Sequence, residues 1–97
     1  MIVLTGPPVS GDLPGADLVT RGLADLAAGV ESVAALLVAT GAPRLRQLGV
    51  DVPSGPRRPE HQLYALLARD NPDAAHSRYN ALIRRLVSFE RALACVG

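Results

Sequence analysis

Val19, Leu23, Leu26, Val30, Val33 and Leu37 follow one another at alternating steps of four and three residues. Tyr79, Leu82, Leu86, Phe89 and Leu93 do the same near the other end of the chain. Such steps put every member of a set on one stripe of an α-helix. A stripe kept straight over several turns seats a helix along another helix. The spacing therefore predicts an all-α fold: a small helical bundle with two long antiparallel helices and two shorter ones.

The first long helix is expected from about residue 15 to Thr40. Asp12 and Asp17 bring negative charge to its start, and Gly41 and Pro43 stand at its end. Gly22 and Gly29 are seven apart and share a face with Asp25 and Ser32. That face of small residues invites close approach by a second backbone. Leu18, Leu36 and Val38 lie off the main stripe, and Val33–Ala39 is apolar all round. A helix wetted on one side does not carry that pattern. The expectation is a homodimer through this helix, with Gly22, Leu26, Gly29 and Val33 at the contact.

A short piece, Arg44–Leu48, follows Pro43 and is closed by Gly49. Residues 50–59 read as a loop pinned by Val50 and Val52. A third helix is expected from Pro59 to Arg69, with Leu63, Leu66 and Leu67 inward. Asp70–Asp73 forms a corner in which Asn71 caps and Pro72 takes a first-turn position. The last helix then runs from Pro72 to about Ala94. Met1–Leu4 is a short β-prone run without a second strand to pair with. Residues 1–13 are accordingly expected as an extended arm, and 14–97 as one helical domain.

Ninety-seven residues supply one modest core, and with 3 % aromatics it must be made of Leu, Val and Ala. All ten basic residues are Arg, and the net charge of +1 is too small to argue for a nucleic-acid partner by itself. Its distribution is uneven. Up to Gly41, Asp12, Asp17, Asp25 and Glu31 face Arg21 alone; beyond it, nine Arg face five acids. The two halves attract one another within a fold or across a dimer. Cys95 is the single cysteine, so no internal disulfide forms. No basic residue precedes Arg21, and the longest wholly apolar run, Val33–Ala39, is too short to span a bilayer. A cytoplasmic protein without a membrane segment is the expectation.

Four places carry candidate chemistry. Gly6–Gly11 has the glycine spacing of a phosphate-binding loop, but Asp12 and Leu13 stand where Lys and Ser/Thr are needed, and a carboxylate there repels phosphate. His61 and His76, with Glu60, Asp70 and Asp73, surround the 60–76 corner and raise a metal or enzymatic site as one alternative. Arg78, Arg84, Arg85 and Arg91 cluster on one side of the last helix, where Arg84, Ser88 and Arg91 make a stripe. They suggest phosphate groups or an acidic partner as the other alternative. Glu90 falls inside or at the rim of the apolar arc, so it is expected as a buried acid bonded to an Arg, His or Tyr of another element. Arg44, Arg46 and Arg69 are the candidate cations. No catalytic set, metal-ligand set or cofactor motif is complete. The residues favour a non-enzymatic interaction or regulatory module acting through helix faces, with a second copy of itself as the first partner.

Overall fold

The computed structural model describes the backbone of residues 13–96. Five helices form it: α1 (Ala16–Ala27), α2 (Val33–Thr40), α3 (Ala42–Gln47), α4 (Pro59–Asp70) and α5 (Ala75–Val96). No strand occurs among the described residues. The all-α bundle expected from the spacing is therefore the fold. The N-terminal arm and the Gly6–Gly11 stretch lie outside the described residues. Of the arm only Leu13 is seen, half-buried against the core.

The first long helix is not continuous. It breaks at Ala28–Ser32, and local chemistry overrides the repeat. Gly29 adopts φ 76°, a left-handed conformation that a residue with a Cβ avoids. Its N–H donates to the Leu26 carbonyl at 3.1 Å, and the Val30 N–H donates to the Asp25 carbonyl at 2.8 Å. This pair of bonds closes a helix on a left-handed glycine. Three residues on, Ser32 is extended and its hydroxyl accepts from the Ala35 N–H at 3.1 Å, which starts α2. Val30, expected in the core, consequently sits in the turn and is 49 % exposed.

The break lets α1 fold back on α2, and Gly22 marks the place where they cross. A Cβ at Gly22 would run into the Ala34 carbonyl oxygen and the Val38 side chain. The close approach anticipated between two copies is thus made within one chain. α2 becomes the central helix, packed by α1, α3, α4 and α5. Every residue from Ala34 to Ala39 is buried. That is why Ala34–Ala39 has no polar face: the other helices of its own chain cover it.

Gly41 ends α2 and also begins α3, so the two helices share one junction residue. α3 contributes Leu45 and is closed at Gly49. The loop after it is pinned by the buried Val50 and Val52, and Arg46 donates to the Val52 carbonyl at 2.9 Å. α4 buries Leu63 and Leu67, with Leu66 half-buried. At the corner, the Asn71 side-chain oxygen accepts from the N–H groups of Asp73 (3.1 Å) and Ala74 (3.2 Å). Residues 72–74 remain a turn, and α5 starts at Ala75 rather than at Pro72. Its 22 residues make it the one long helix among the described residues. Ala75, Leu86, Phe89 and Leu93 lay its buried stripe on the rest. No helix among the described residues is long and apolar enough to cross a membrane.

Candidate functional site

Two surfaces of the bundle carry side chains that the fold leaves unused. The first is the outer side of α5. Arg78 and Arg85 lie together on one flank of it and are held by the chain: Arg78 pairs with Asp70 at 2.7 Å, and Arg85 pairs with Asp17 at 3.2 Å. The second pair joins residues 68 apart in sequence and ties α5 to the first turn of α1. Both pairs are largely exposed, which limits each to a few tenths of a kcal/mol up to about 1 kcal/mol. Arg84, Ser88 and Arg91 point outward beside that flank, and the exposed Val87 borders them on the other side. No carboxylate comes within 4 Å of Arg84 or Arg91 among the described residues. A shallow cleft of about 280 Å³ lies beside them, lined by Pro14, Gly15, Ala81, Arg84, Arg85 and Ser88. Of the four arginines expected to act together, two are therefore engaged and two are available.

The second surface is the groove between α1 and α2, about 490 Å³ in volume. Leu18, Val30 and Val33 line it, with Arg21 and Asp25 on one wall. Asp25 accepts a hydrogen bond from the Ser32 hydroxyl at 2.6 Å. Arg21 and the neighbouring Glu31 have no ion-pair partner among the described residues. Of the four residues expected at a dimer contact, Val33 is at this groove and the half-buried Leu26 is near its far end. Gly29 is exposed in the turn, and Gly22 is enclosed by α2. Sequence periodicity assigned Val30 to the interior and so missed the residue that makes the groove apolar.

Glu90 is half-buried rather than buried. It faces Gly41, where a Cβ would lie 3.2 Å from its Oε2. It forms neither a hydrogen bond nor an ion pair among the described residues, contrary to expectation. Arg44, the cation closest in effect, bonds Gln47 instead at 3.4 Å. Burial pushes the Glu90 carboxyl above the usual carboxylate range, and the charge of Arg44 offsets only part of that.

The 60–76 corner does not gather ligands. His76 meets Asn80 at 3.2 Å and lies against Tyr64, with ring centroids 6.5 Å apart. His61 is exposed elsewhere on α4. No three His, Cys, Asp or Glu side chains converge among the described residues. Cys95 is exposed at the end of α5. No protein family matches the chain, and neither a curated protein nor a solved structure shows detectable similarity to it.

Proposed function

We propose that this chain is a non-enzymatic helical interaction module, and that a second copy of it seats in the α1–α2 groove. The observation that supports this reading is Val30: a large apolar side chain, 49 % exposed, flanked by half-buried Leu18 and Val33. Apolar surface gathered in one concave place is what an interface removes from water. The charges round it suit a two-fold contact. Such a contact brings the same patch face to face with itself, so the patch must carry both signs. Arg21 supplies one sign and Asp25 the other in the groove, and Glu31 adds a second acid next to Val30. A two-fold axis through Val30 sets Arg21 against the partner's Glu31 and buries the valines between them.

Sedimentation equilibrium tests the reading. The wild-type chain is expected to dimerise in the micromolar range, Val30→Asp to remain monomeric, and Arg21→Glu to dimerise more weakly. Arg21→Glu combined with Glu31→Arg restores the pairing if the two side chains meet across the axis. A wild-type chain that stays monomeric at high micromolar concentration refutes the proposal.

A further inference from the structure

Residues 28–32 sit between two conformations that the sequence supports. Gly29 and Ser32 reverse the chain there, yet Leu26, Val30 and Val33 keep the four-three step straight through the turn. No proline stands between Pro14 and Pro43, so nothing in that stretch forbids one helix over residues 16–40. In the turn, Gly29 holds φ 76° with no atom within 4 Å of where a Cβ would lie, and Val30 is 49 % exposed. In a continuous helix Gly29 needs no left-handed backbone, and Val30 rejoins the apolar stripe between Leu26 and Val33. The cost is the Ser32 cap and a glycine in mid-helix.

We propose that α1 exchanges between two copies of this chain: the turn opens into one helix over residues 16–40, and the α1 of each copy packs on the α2 of the other. The contacts of α1 need no alteration for this. Ala16 and Val19 are buried, Gly22 is fitted to the Ala34 carbonyl and the Val38 side chain, and Asp17 pairs with Arg85. A second copy presents the same surfaces in the same places. The closed and exchanged forms therefore differ chiefly at the turn, and the balance there sets their populations. Shape fixes the occupant. The place on α2 left by a departing α1 admits a helix only where that helix has no side chain at the crossing, because a Cβ at Gly22 would run into the backbone of Ala34. Another α1 meets that requirement. α1 is also an element that leaves at small cost. Its buried residues are Ala16, Val19 and Gly22, and its ion pair to α5 is largely exposed. The exchange is made by α1 itself rather than by the outer surface of the groove, so it does not depend on the self-contact proposed above.

Arg85→Lys makes the test covalent. The chain has no lysine, so this variant holds a single side-chain amine, placed against Asp17. The protein is concentrated to the millimolar range, warmed through partial unfolding, cooled, and diluted to low micromolar for size-exclusion chromatography. An exchanged dimer is expected to survive dilution, since α1 must leave the core to undo it. A dimer held only through the groove dissociates at once. Carbodiimide then couples Asp17 to the introduced lysine. In an exchanged dimer that amide joins two chains, and mixing ordinary with heavy-isotope-labelled protein before warming gives a link peptide of mixed mass. In a monomer or a groove dimer it joins a chain to itself. Gly29→Ala is expected to raise the ratio of dimer to monomer at least tenfold, because in each chain alanine is penalised in the turn and favoured in the helix. Inserting Gly-Ser-Gly after Gly29 relaxes the turn and interrupts the helix, and is expected to remove the dilution-resistant dimer. Circular dichroism checks that both variants fold. The proposal is overturned by a Gly29→Ala protein that forms no dilution-resistant dimer, by such a dimer whose links stay within single chains, or by one that persists in the insertion variant. A rapidly dissociating dimer with links inside each chain leaves the groove contact standing and the exchange refuted.

Discussion

The Ser32 hydroxyl donates to the Asp25 carboxylate at 2.6 Å while it accepts from the N–H of Ala35. One side chain thus starts α2 and ties it to the last turn of α1. The bond spans the turn that reverses the chain at Gly29, and α1 packs on α2 only because that turn holds. Several outcomes follow from how the turn and the core beneath it are built.

Gly29→Ala reads the turn directly. In a continuous helix, alanine in place of glycine stabilises by about 1 kcal/mol. Here Gly29 has φ 76° and open space around it, so the new methyl meets no atom but strains the backbone. The variant is expected to be less stable than wild type by about 1–2 kcal/mol. Urea denaturation gives the sign, and a stabilised variant would contradict the break.

Ser32→Ala removes the α2 cap. The expected loss is about 0.5–2 kcal/mol, because the Ala35 N–H loses its acceptor and Asp25 loses its donor. Ser32→Asp keeps the acceptor but sets a second carboxylate against Asp25. It is expected to recover part of the loss at acidic pH and less of it at neutral pH. Thermal melts at the two pH values measure both effects.

Gly22→Ala separates packing from backbone conformation. The added Cβ meets the backbone of Ala34, which cannot turn aside as a flexible side chain would. Overpacking of this kind destabilises by about 1–3 kcal/mol. The helix-favouring effect of alanine works in the opposite direction and is smaller. Chemical denaturation that shows a neutral or stabilising change would mean that α1 and α2 are further apart than described.

Glu90 sets a pH dependence. Its carboxyl is raised above the usual range, so the folded protein holds that proton to higher pH than the unfolded chain does. Its neutral form contributes stability that is complete below the unfolded pKa. That contribution is lost as pH rises through the folded value. Glu90→Gln is accordingly expected to raise the melting temperature at pH 7 and to leave it nearly unchanged at pH 4. A lower melting temperature at pH 7 would show that the charge is stabilised there, by Arg44 above all.

The class of fold was legible in the sequence because apolar spacing is a direct record of helical faces. The stripe Leu86, Phe89, Leu93 on α5 and the pinning pair Val50 and Val52 are found where their spacing puts them. The break in the first helix was also written there, as Gly29 followed three residues later by Ser32. It was hidden because Leu26, Val30 and Val33 keep the four-three step across the turn. Periodicity alone does not register that the backbone has left the helix between them. The candidate surfaces were less legible. Which arginines of α5 remain available depends on Asp17 and Asp70, and the Asp17 contact joins residues 68 apart. For Glu90, a helical wheel does not reveal that Arg44 engages Gln47 rather than the carboxylate.

The junction at Gly41 governs where this chain tolerates a change of length. With α2 ending and α3 beginning on one residue, an added or deleted residue there turns α3 by about 100° relative to α2. Leu45, with no exposed surface, would leave the core, and the glycine that accommodates Leu86 and Glu90 would be displaced from beneath them. The segment from Ser54 to Arg58 has no buried side chain to hold it in register. Insertions and deletions are therefore absorbed just before α4 and rejected between α2 and α3, although both sites look like simple interhelical connections.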